Sequence, residues 1–127
     1  MAYGLLPRLA LSIALLGHGA AALAKPLAAC PQKGGLLESA SVFDGLPEKQ
    51  VELMPDFATL EWDLSTGQDG ARARGESIYL VCKYKGTKTT VTIKLAYEAA
   101  QCKAEGIKNR TVISCSAAPK DGTTTSQ

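Results

Sequence analysis

Histidine is nearly missing from this 127-residue chain: the only one is His18, near the N-terminus. That position falls inside an expected export signal, so the mature part carries none. Without histidine, Ser-His and Cys-His nucleophile pairs and histidine-bearing metal sites have no basis. Four cysteines are present, but no two stand as Cys-x-x-Cys. The spacing of a structural zinc site and the usual redox dithiol are therefore lacking. A Gly-rich phosphate loop is lacking as well, since Gly34-Gly35 and the glycines of 67–75 match no phosphate-cradling spacing. Charge of one sign is also in short supply. The chain has 14 basic and 12 acidic residues, and losing Arg8 with the signal leaves 13 against 12. Such a balance provides no field for nucleic acid or an anionic membrane. Neither a cofactor nor a metal is expected.

The first uncharged apolar run extends from Leu9 to Leu23 behind a short segment whose one charge is Arg8. At roughly 15 residues it falls short of the ~20 needed to span a bilayer core. It has the anatomy of a secretory signal, with Ala22-Leu23-Ala24 supplying the small residues a signal peptidase reads. Cleavage after Ala24 is expected, with Lys25 as the mature start. Leu27-Ala28-Ala29-Cys30 overlaps as a lipoprotein box, in which Cys30 would carry a lipid. Lys25 and Pro26 interrupt that reading, and lipidation would leave an odd number of cysteines in an oxidising compartment.

All four cysteines, Cys30, Cys82, Cys102 and Cys115, lie in the mature part, and an even count after an export signal reads as two disulfides. Three pairings are possible. A turn at Lys108-Asn109 would bring Cys102 beside Cys115 and leave Cys30 for Cys82, and this is the favoured pairing.

Along the mature chain, 25–35 reads as irregular. Leu36 to Phe43 reads as a strand ended by Asp44-Gly45, and a hairpin about that turn leads into Gln50 to Met54. Ala58 to Leu64 is strand-like around the only Trp, Trp62. Ser65 to Gly75, with three glycines and mixed charges, reads as a mobile loop. Ser77 to Tyr84 is the strongest strand, joined through 85–88 to Thr89–Leu95, where Val91, Ile93 and Leu95 alternate onto one face. Glu98 to Gly106 suggests a short helical turn, and Thr111 to Cys115 a last strand. The expected organisation is a signal at 1–24, a domain at 25–116 and a disordered tail at 117–127. The expected fold is mainly β: a small antiparallel sandwich or partial barrel of five to seven strands with two disulfides.

Asp44, Asp56, Glu61 and Asp63 could approach one another as a glycosidase pair would. Their ordinary role as turn formers and strand-face residues is favoured instead, and no catalytic residue is assigned. Candidate binding residues are Asp44, Trp62, Tyr79, Tyr84, Lys83 and Lys85. The lysines at 83, 85, 88 and 94 could meet an acidic partner or simply guard an edge strand. At least two of Trp62, Tyr79 and Tyr84 are expected in the core of a domain so short of Phe.

In order, Cys30-Pro31, Phe43-Asp44-Gly45 with Pro47, Leu53 with Pro55-Asp56, Trp62, Cys82-Lys83-Tyr84 with Gly86-Thr87, Cys102 and Ile113-Ser114-Cys115 resemble a family of small uncharacterised periplasmic proteins of Gram-negative bacteria. That resemblance implies a periplasmic location and disulfides, and it transfers no catalytic residue. A looser likeness is to periplasmic lysozyme inhibitors, which insert a Ser-Gly loop and a Tyr into the enzyme cleft; Gly75-Glu76-Ser77-Ile78-Tyr79 is the nearest counterpart here. Together these point to a non-enzymatic periplasmic binding or inhibitor-like module whose partner is a secreted or periplasmic protein. The alternative is an envelope-associated structural or stress accessory protein, lipid-anchored at Cys30.

Overall fold

The computed structural model describes residues 25–32 and 35–119. The expected signal and most of the expected tail lie outside them. The strands are β1 (Ala28–Ala29), β2 (Leu37–Asp44), β3 (Glu52–Leu53), β4 (Glu61–Asp63), β5 (Ile78–Tyr84), β6 (Thr90–Lys94), β7 (Ala99–Ile107) and β8 (Arg110–Ala117). One helix, α1 (Ser65–Arg74), stands between β4 and β5. The strands form two antiparallel four-stranded sheets, ordered β1-β8-β7-β4 and β3-β2-β5-β6. Six strands are longer than two residues, and β1 and β3 are two-residue additions at sheet edges. The sandwich reading holds.

Period-2 alternation decides which side chains fill the space between the sheets. In β5, Ile78, Leu80, Cys82 and Tyr84 point inward while Tyr79, Val81 and Lys83 point outward. Val42 and Leu37 of β2 meet them from the same sheet. Trp62, Cys102, Ile113 and Cys115 come from the other.

Both bridges pair as favoured, Cys30 with Cys82 and Cys102 with Cys115. Cys102 and Cys115 are direct cross-strand partners in the β7–β8 ladder. The turn between those strands is Lys108-Asn109, both at positive φ, as a two-residue hairpin loop of the twisted kind requires. The other bridge ties the segment after β1 to β5, so it links the two sheets. This bridge uses the Cys30 sulfur that a lipid thioether would need.

Three local expectations are corrected. Residues 65–75 are not a loop: they form α1, capped by Gly75 at φ 72, whose N–H reaches the carbonyls of Ala71 and Arg72. Residues 98–106 are not helical: from Ala99 they belong to β7, a strand whose Ala, Lys, Glu and Gly residues are poor strand formers and which is held by its pairing with β8 and β4. The N-terminal segment is not wholly irregular either, because Ala28 and Ala29 pair with Cys115 and Ser114.

Candidate functional site

The six candidate binding residues do not gather in one place. Trp62 is 6% exposed, and its indole N–H donates to the Leu53 carbonyl at 3.2 Å. Tyr84 is buried with its hydroxyl donating to the Pro31 carbonyl at 2.6 Å, and burial pushes its phenol pKa up. These two are core residues. Tyr79 is half-buried on the outer face of its sheet, opposite Phe43 on one side and Lys94 on the other. Lys83 shares that outer face and Lys85 lies just past the strand end, both exposed. Asp44, at the end of β2, pairs with Arg74 of α1.

Asp44 belongs to a charged clamp. Arg74 Nε also meets Glu76 at 2.9 Å, and Lys49 Nζ meets the other Glu76 oxygen at 2.9 Å. The hydrogen bond from Lys49, followed by that from Arg74, holds the Glu76 carboxyl below the ordinary glutamate range. Glu76 and then Asp44 raise the Arg74 guanidinium. This clamp fastens the helix C-terminus to the end of β2 and to the 3₁₀ turn Pro47–Lys49. Its charges satisfy one another.

A different set of side chains stands free. The chain leaves β3 at Met54-Pro55 and makes a tight loop before β4. Asp56 organises it: its carboxylate accepts the Ala58 N–H at 2.9 Å, and its carbonyl accepts the N–H groups of Thr59 and Leu60 at 3.2 and 2.7 Å. Its own N–H donates to Glu61 at 2.8 Å. The Ala104 N–H donates to the Leu60 carbonyl at 3.0 Å and ties the loop to β7. Leu60 is held at φ 57, a left-handed conformation that a bulky side chain adopts only when its surroundings enforce it.

On this braced loop Phe57 is 72% exposed, Met54 62% and Leu60 46%. All three line one groove of about 360 Å³ that opens between the two sheets. Glu38, Ser39, Ala40 and Glu52 contribute to it from one sheet, and Trp62, Ala104, Thr111 and Ile113 from the other. Keeping apolar side chains of this size in water forgoes roughly 1.5–3 kcal/mol each relative to full burial. Three exposed apolar side chains around one groove make it the candidate site.

The neighbouring surface is acidic. Asp56, Glu61 and Asp63 line a second depression that shares Trp62 with the groove. Asp63 accepts the Ser65 backbone N–H at 3.1 Å and the Ser65 hydroxyl at 2.8 Å, and these two bonds, in that order, lower its pKa. Among the described residues, no group of three or more His, Cys, Asp or Glu is placed to hold a metal ion. The arrangement suits recognition of apolar and cationic groups. Sequence reading missed Met54, Phe57 and Leu60; the available signal was an apolar residue at each of these positions in a segment punctuated by Pro55 and Asp56.

Among the described residues, no helix is long and apolar enough to cross a membrane. No curated protein and no solved structure matches the chain significantly. The family model of the Type VI secretion system Tli immunity protein matches residues 32–120, more than two-thirds of the chain. The matched stretch takes in β2 to β8, α1 and three of the four cysteines. The inhibitor-like part of the sequence reading is thereby supported, though not for lysozyme inhibitors in particular. The chain belongs to the Type VI secretion system Tli immunity protein family.

Proposed function

We propose that this chain is exported to the periplasm, loses residues 1–24, and acts there as a non-enzymatic immunity protein that binds and blocks an effector protein delivered by Type VI secretion. The family match carries this reading. A small frame cross-linked between its sheets and within one of them supports it, because a rigid surface loses little freedom on binding.

The test starts with the mature chain, from Lys25, as bait for the secreted proteins of cells with an active Type VI system. The retained effector is then purified, its affinity for the chain measured, and its toxicity compared in cells that do and do not export the chain. Tight binding and protection are expected. Absence of any bound effector at micromolar bait, together with absence of protection, would sink the proposal. Export is checked separately by mass spectrometry of the mature N-terminus. A start at Lys25 with Cys30 oxidised is expected, and a lipid on Cys30 would contradict it.

A further inference from the structure

We infer that the groove beneath Phe57 and Leu60 is the surface that holds the effector, and that it receives an effector segment with an apolar side chain flanked by Lys or Arg. This rests on the immunity reading and adds to it the place of docking and the chemistry of the partner. The apolar part follows from exposure: Met54, Phe57 and Leu60 stand in water around a groove floored by Trp62 and Ile113.

The basic part follows from charge. Glu38 and Glu52 line the groove, and Asp56, Glu61 and Asp63 line the depression beside it. Of the cations beside this set, Lys103, opposite Glu61 in the β4–β7 ladder, is engaged with Glu105 at 3.3 Å. Lys83 stands opposite Ser39 and Arg110 precedes Thr111, so carboxylates still outnumber the free cations. The lysines at 83, 85, 88 and 94 belong to the β5–β6 hairpin. In that sheet β6 is the edge opposite β3, so Lys94 lies away from the groove, whereas Lys83 of β5 stands opposite the groove-lining Ser39. An incoming segment therefore meets apolar surface with negative charge on two sides, and basic flanks complement it.

A second copy of this chain is a poor occupant. In a two-fold contact each groove would meet the other, which opposes the same acidic rim to itself. The backbone adds an independent indication. Leu60 keeps a left-handed φ that glycine would adopt without strain. Retaining a leucine there presents a side chain at the groove at the expense of local stability, a trade typical of functional surfaces.

The effector retained by the bait is the probe, and its affinity is measured for the mature wild-type chain and for three groove variants. Phe57→Asp is expected to weaken binding about 30-fold or more, as loss of an interface anchor does. Leu60→Gly is expected to weaken binding while leaving the melting temperature unchanged or raised, a split that a merely structural residue would not produce. Glu52→Lys combined with Glu61→Lys is expected to slow association and flatten its dependence on salt, and a Lys→Glu or Arg→Glu change in the effector segment should restore it. Lys94→Glu, on the far edge strand β6 of the β5–β6 hairpin, should bind within about twofold of wild type, as rim positions outside an interface do.

If the wild-type chain binds its effector but the groove variants bind equally well, or the far-hairpin variant is the one that fails, the docking assignment is overturned while the immunity reading stands. A mature chain that dimerises, with the dimer broken by Phe57→Asp, would give the groove to a second copy and overturn it equally. A wild-type chain that binds no effector removes the immunity reading itself.

Discussion

Of the four crossings the described chain makes between its two sheets, the two on either side of β4 are built differently. After β4 it crosses as α1, and the crossing is closed. Leu64 and Ala71 are fully buried, and the Gln68 amide donates at 3.0 Å to the carbonyls of both Ala96 and Ala99. Tyr97 donates to the Glu76 carbonyl at 2.7 Å while Arg72 lies over the Tyr97 ring. After β3 it crosses as the Met54–Leu60 loop. That loop is equally well hydrogen-bonded, yet it turns its largest side chains outward. The helical crossing commits its apolar residues to stability. The loop crossing withholds them, and a domain of this size has little reason to do so unless another molecule covers them.

The largest effect that would break this comparison lies in the frame both crossings share. The Cys30–Cys82 bridge joins the sheets across a separation of 52 residues, so Cys30→Ser with Cys82→Ser should lower stability by about 4 kcal/mol. Urea unfolding under non-reducing conditions measures it. A loss far smaller than this would mean that packing alone holds the sheets together.

The comparison sharpens when one residue is taken from each crossing. Leu64→Ala empties a fully buried site and should cost about 3 kcal/mol. Phe57→Ala removes a larger side chain that is mostly in water and should change stability by no more than about 0.5 kcal/mol. The same two proteins should rank in the opposite order for effector binding. Chemical denaturation and an affinity measurement on each would show the crossover.

Much of the frame was legible because it rests on alternation and turn chemistry. The β5–β6 hairpin, the Lys108-Asn109 turn and the pairing of the cysteines all follow from period-2 patterns and from residues that tolerate unusual φ. Helix α1 was not legible, since Ser65-Thr66-Gly67-Gln68-Asp69-Gly70 has weak helix propensity and only Gln68 and Ala71 of the helix are buried. Its contacts with β5, β7 and the clamp hold it, and none of these is visible before the chain folds. The signals that could have marked it are Asp63-x-Ser65 before it and Gly75 after it. The groove was hidden for a related reason: Phe57 and Leu60 look like core residues until the bonds around Asp56 turn them outward.

The smallest effect concerns the clamp on the closed side. Arg74→Ala removes both of its ion pairs, but these are solvent-exposed, so the loss of stability should be slight and should fade with added salt. Its pH dependence has a definite sign. The Glu76 pKa is lowered in the folded protein, so its contribution is present above the ordinary glutamate value of about 4.3 and is lost as pH falls through the folded value. The difference between wild type and Arg74→Ala should therefore shrink in acid. A difference that grows in acid would contradict the clamp.

The central claim, that the open crossing is the one a partner covers, is tested most directly by amide hydrogen exchange on the mature chain with and without bound effector. Slowed exchange is expected at residues 52–61 and around Ala104, with α1 and the β5–β6 hairpin unchanged. Protection confined to α1 or to that hairpin, with 52–61 exchanging as in the free chain, would contradict the account.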